Sequence, residues 1–166
     1  MFGGLRKRVT NETIAATRQL VSSFQLAHGI PRGFWQDDFI VGYFGNTIGV
    51  YSRMCSGDRL SQTEKGYLLC EVFEAISNSN GSAIVRRFTE MAFQSPRPES
   101  FQRGLDFGEI VTLAMLGKVT DLGRPFVEDA KRIAAERGQQ HDVNVVVQIL
   151  LQKLFLEPIE ARFSLG

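Results

Sequence analysis

The sequence is short of the residues from which most active sites are built. It has two cysteines and two histidines in 166 residues, whereas a zinc or similar site takes three or four ligands at recognisable spacings. Cys55, Cys70, His28 and His141 are scattered along the chain, so we assign no metal ligand. Two cysteines in a chain of this size make no disulfide framework, and reduced thiols are expected. No Gly-x-x-x-x-Gly-Lys-Ser/Thr loop and no Gly-x-Ser-x-Gly element is present, which removes the commonest phosphate loop and the hydrolase elbow. No cofactor and no catalytic residue are assigned.

Charge of one sign is also lacking. Nineteen basic against eighteen acidic residues give a formal net charge of +1, which does not suit a nucleic-acid binder. Arg86, Arg87, Arg97 and Arg103 have Glu90 and Glu99 among them and read as a solvated face. With 43% hydrophobic and 22% charged residues, the composition is that of a folded chain rather than a disordered one. The longest uncharged stretch, Phe39 to Ser52, falls short of the roughly 20 residues that cross a bilayer. Met1 to Arg8 is basic but is followed by no apolar run of signal-peptide length. The expectation is a cytoplasmic protein with no membrane span, one helical domain over 1–166, and a flexible basic arm over 1–9.

What the chain does have is concentrated between Phe34 and Cys55, FWQDDFIVGYFGNTIGVYSRMC. At about 100° per residue a helix puts Ile40, Phe44, Thr47, Ile48 and Tyr51 on one side and Trp35, Asp38, Gly42, Gly45 and Gly49 on the other. The glycine side bares the backbone to a neighbouring helix or a flat ligand. The rival reading is a hairpin turning at Gly45-Asn46, which suits a two-residue loop. A lone hairpin is marginal in water and the chain offers no convincing partner strands, so the spacing favours a helix. Asp37 and Asp38 complement the start of that helix. Being adjacent, they point about 100° apart and make no facing acid-base pair.

The remaining segments read as helices as well. The first starts at Thr10 or Asn11, carries Ile14, Thr17, Val21, Phe24 and His28, and ends at Gly29-Ile30-Pro31. Ser61 and Glu64 have the spacing of a capping box for a helix that runs to about Ser77. A further helix spans about Ser82 to Gln94, with Ile84, Val85, Phe88, Met91 and Ala92 inward. The segment Ser100 to Leu116 contains Gly104 and Gly108, a second glycine face able to meet the first. Pro125 suits the first turn of the next helix. The last, Val143 to Leu156, shows only Asn144, Gln148 and Gln152 as a polar stripe, and Pro158 is expected to stop it.

The fold expected is therefore all-α, a single bundle of six or seven helices around a buried central helix at 34–55, with the last long helix also innermost. A packed core can be assembled from this sequence and a catalytic constellation cannot. The first functional expectation is a non-enzymatic protein acting through protein association, as a homodimer or with another protein partner. The alternative is a small apolar or aromatic ligand in a groove on the glycine face, held by Trp35, Asp38, Gly42, Gly45, Gly49 and Arg53. An enzyme built on Asp37, Asp38 or Arg53 ranks third.

Overall fold

A computed structural model describes residues 3–165. The protein is all-α: α1 (Gly3–His28), a 3-10 turn (Phe34–Gln36), α2 (Asp38–Ser56), α3 (Gln62–Ser77), α4 (Gly81–Ala92), α5 (Glu99–Met115), α6 (Arg124–Ala135), α7 (Val143–Leu151), a π-helical turn (Gln152–Leu156) and α8 (Glu157–Phe163). No strand occurs among the described residues, so 39–52 is helix and not hairpin. Among the described residues no helix is long and apolar enough to cross a membrane. The chain forms two compact units, Met1–Leu105 and Asp106–Gly166.

In the first unit α2 is the central element. Its side chains from Phe39 to Ile48 are buried on nearly every side, Asn46 being the partly exposed one. The helix starts later than its hydrophobic pattern suggested. Phe34 to Gln36 form a separate 3-10 turn, and Asp37 is the cap, its carboxylate accepting the Ile40 amide at 3.2 Å. A capping carboxylate at this position satisfies an amide the helix itself leaves open. Gly57 closes the helix in the left-handed conformation, φ 60°.

The first helix begins at Gly3, not at Thr10, so residues 3–9 are helical rather than an arm; Met1 and Phe2 lie outside the described residues. Tertiary partners hold this extension. Val9 and Thr10 are buried, Arg6 pairs with Glu71 of α3 and lies over the Tyr67 ring, and Arg18 donates to the Ala75 carbonyl at 3.0 Å. The buried hydroxyls of Thr13 and Thr17 donate back to the carbonyls of Val9 and Thr13, each at 2.7 Å, a pairing that lets hydroxyls sit in a core helix. Gly29 ends α1 at φ 71°.

The capping box of α3 is formed as its spacing predicted. The Ser61 amide donates to Glu64 Oε2 at 2.9 Å, and the Glu64 amide to Ser61 Oγ at 3.3 Å. Asn80 caps α4 by accepting the Ala83 amide at 3.1 Å. Ile84 and Met91 point into the core while Arg86, Arg87 and Glu90 stay outside.

In the second unit, α6 has Pro125 in its first turn and buries Val127, Ala130 and Ala134. Asp142 caps α7, accepting the amides of Asn144 and Val145 at 2.9 and 3.4 Å. Asn144, Gln148 and Gln152 are exposed and Val146, Ile149 and Leu150 buried, so α7 is amphipathic and not an innermost helix. Pro158 does not stop the chain. The π-helical turn, in which the Glu157 amide reaches back to the Gln152 carbonyl, lies directly ahead of it, and α8 continues to Phe163. A proline ring collides with the carbonyl four residues earlier in a regular helix. A wider turn at that place relieves the collision and lets the helix pass, and Ile159 beyond it is fully buried.

Candidate functional site

The glycine face of α2 is three different environments. At Gly42 a Cβ would lie 2.5 Å from the Phe101 carbonyl oxygen and 3.3 Å from the Leu105 amide. Opposite, a Cβ on Gly104 would overlap the Phe39 carbonyl and come within 2.9 Å of the Tyr43 amide. The two helices thus meet backbone to backbone, an approach only residues without a side chain allow. Asn46 fastens the crossing by donating from Nδ2 to the Leu105 carbonyl at 2.8 Å. Glycine faces were expected to meet, but the pair that does so is Gly42 with Gly104. At Gly45 the space is taken by the Phe88 ring of α4, and at Gly49 nothing lies within 4 Å.

The open end of this face is a cleft of about 350 Å³ bounded by α2, α3 and α4. Gly45 and Gly49 form one wall, Gly66 and Leu69 another, and Phe88 and Val85 a third. Like Gly49, Gly66 has nothing within 4 Å of where a Cβ would stand. Lys65 is the charged residue at its edge and is engaged with Asp58 at 2.9 Å.

The other expected site residues are not at this cleft. Trp35 leaves the helix with the 3-10 turn and is buried among aromatic rings, its centroid 5.0 Å from Phe34, 5.3 Å from Phe44 and 6.3 Å from Phe73. Asp38 pairs with Arg87 of α4 at 2.5 Å and ties the start of α2 to that helix. Arg53 is an exposed residue in the last turn of α2, where a cation complements the helix dipole. The six residues therefore do not form one site; only Gly45 and Gly49 line the cleft.

Three groups of α2, Tyr43, Tyr51 and Cys55, hold their protons more tightly than usual. Burial drives the Tyr43 hydroxyl far above the ordinary phenol range. Burial and the neighbouring Cys55 raise Tyr51, while burial and the Glu12 carboxylate raise the Cys55 thiol. A nucleophilic cysteine needs the opposite shift. Cys55 and Cys70 are both free thiols. Among the described residues no three His, Cys, Asp or Glu side chains gather as metal ligands do.

A second concavity, in the unit after Leu105, escaped the reading of the sequence. It measures about 190 Å³ and is walled by Val119, Val127, Val143, Val146, Val147 and Leu150, with Lys131 and His141 also lining it. The valines of α7 were visible as a run. That they face a loop from before α6 was not, because the contact joins distant parts of the chain. No family model, characterised protein or solved structure matches this chain.

Proposed function

We propose that this is a non-enzymatic helical protein that acts by associating with another polypeptide, in the simplest case a second copy of itself. One observation carries the reading. Val119 is 50% and Val143 65% exposed, and both border the same valine-lined concavity in the second unit. Single exposed apolar residues are ordinary on a monomer, whereas contiguous apolar surface marks contact sites. Covering it with protein removes the valines from water at about 25 cal/mol per Å² buried. Gel filtration with light scattering at micromolar concentration tests this. The expected mass is twice the 18.6 kDa chain mass, falling to one chain in Val143→Asp with helicity unchanged. A single-chain mass for the wild-type protein refutes the self-association form.

A second reading is favoured by the open end of the glycine face. A small apolar or aromatic molecule fits the cleft at Gly49 and Gly66, whose volume of about 350 Å³ is in the range of ligand pockets, roughly 300–1,000 Å³. A thermal-shift screen of aromatic and aliphatic compounds tests it. A compound that raises the melting temperature of the wild-type protein but not of Gly49→Leu supports the reading, and equal shifts in both remove it.

A further inference from the structure

The π-helical turn does more than admit Pro158. In a regular helix each amide reaches the carbonyl four residues back, so Leu156 would stand over Gln152. Here the Glu157 amide takes the Gln152 carbonyl instead, and the extra residue puts Glu157 next in line after Gln148 and Gln152. Turns of this kind are frequent at functional sites. Three polar side chains thereby follow one another along a single face.

That face is one wall of a groove of about 400 Å³, a volume in the range of ligand pockets, roughly 300–1,000 Å³. Ile133 and Arg137, from α6 and the turn that leaves it, form the other wall, and Val145, Ile149 and Lys153 complete the lining. Asp129 of α6 holds Lys153, just past the end of α7, at 2.8 Å, so α6 and α7 run antiparallel. Arg137 therefore stands at one end of the groove and Lys153 and Glu157 at the other. At 1.5 Å per residue from Asp129 to Arg137, the ends are on the order of 10 Å apart.

Lys153 is occupied by Asp129. Among the described residues Arg137, Gln148, Gln152 and Glu157 make no side-chain hydrogen bond or ion pair, so a cation at one end and a carboxylate at the other are open to an occupant. The two carboxamides between them each donate and accept. Ile133, Val145 and Ile149 supply the apolar part. A free amino acid is too short for this wall, since its ammonium and carboxylate share one carbon. A dicarboxylate would set like charge against Glu157, which is unfavourable. An extended peptide advances about 3.3 Å per residue, so about three residues span the two ends.

We infer that this groove binds a short unblocked peptide, with its C-terminal carboxylate on Arg137, its N-terminal ammonium on Glu157 and its backbone amides on Gln148 and Gln152. Capture of chain termini is a recurring mode of peptide recognition. The site is separate from the valine concavity and from the cleft on the glycine face, and depends on neither.

The test uses the full chain and trialanine, which carries the two charged ends and the backbone amides and little else. In isotope-labelled protein the side-chain amide signals of Gln148 and Gln152 should shift as trialanine is added to about 10 mM, a range that detects millimolar affinity. Arg137→Gln and amidation of the peptide should each weaken binding about tenfold, as loss of a hydrogen bond to a charged group does. Amidation should then cost nothing further in Arg137→Gln, because the two changes remove one contact. Glu157→Gln and N-acetylation should behave in the same way at the other end. Both positions are exposed, and circular dichroism checks that each variant keeps its helices. Such non-additivity is an outcome a merely structural role for Arg137 or Glu157 does not give. Unmoved signals in the wild-type protein overturn the proposal, and so does free alanine binding as tightly as trialanine. A blocked end that costs the wild-type protein and the matching variant equally overturns the assignment of that end.

Discussion

Replacing glycine by alanine should change stability in opposite directions at two positions that look alike in the sequence. Gly104 and Gly49 are both interior helical residues, and on propensity alone each substitution gains about 1 kcal/mol. At Gly49 nothing stands within 4 Å of the new methyl group and the position is exposed, so that gain should be realised. At Gly104 the methyl group meets the Phe39 carbonyl and the Tyr43 amide, which are backbone atoms of the central helix. They cannot swing away as a side-chain end can, so α2 and the start of α5 must part, and with them the matching contact at Gly42. Overpacking a filled contact costs about 1–3 kcal/mol, and contact with backbone on both sides belongs at the upper end. The net expectation is a loss of about 2 kcal/mol for Gly104→Ala. For a chain of this length 1 kcal/mol corresponds to about 2–4 °C. Thermal melts followed by far-UV circular dichroism should therefore place Gly104→Ala about 4–8 °C below the wild-type protein and Gly49→Ala about 2–4 °C above it. Gly66→Ala should follow Gly49→Ala. Shifts of the same sign at Gly104 and Gly49 would refute the reasoning, because propensity and not the helix crossing would then decide both.

Three further outcomes are expected. Ser61→Ala breaks the capping box of α3 and Asn80→Ala uncaps α4; each should lower stability by about 1 kcal/mol, read from urea denaturation, and no change in either variant would count against the observed hydrogen bonds. Leu150 and Phe155 are each 2% exposed, so Leu150→Asp and Phe155→Asp should unfold the second unit rather than merely separate two copies, seen as loss of helical signal; retained helicity would mean that these side chains do not lie in a core. Burial raises the Tyr43 hydroxyl, so the folded state holds that proton more tightly than the unfolded state. Its contribution is complete below the ordinary phenol value, about 10, and declines as the pH rises above it. Ultraviolet titration should find Tyr43 ionising only as the helical signal is lost, whereas ionisation within a fully helical protein would show it to be accessible.

Hydrophobic spacing and caps were enough to determine that the protein is helical and where most helices lie. The box of Ser61 and Glu64, the left-handed Gly29 and Pro125 in a first turn are local devices whose partners stand within four residues, so the sequence carries them whole. In 39–52 the lack of partner strands favoured helix over hairpin without excluding the hairpin, and the structure shows the helix. The tertiary structure decided what the local pattern leaves open. Residues 3–9 are helical because Arg6 and Val9 find partners outside α1. Pro158 is passed because a π-helical turn precedes it and Ile159 has a buried place beyond it. Gly42, Gly45 and Gly49 are equivalent on a helical wheel, yet one meets a backbone, one a ring and one open space. The difference lies in which segment arrives from the rest of the chain. The same holds for the valine concavity, whose walls are brought together from loop, α6 and α7. A sequence fixes the face a side chain takes on its own helix, because that depends on neighbours a few residues away. What meets that face depends on contacts between segments far apart in the chain, and only the packed structure specifies those.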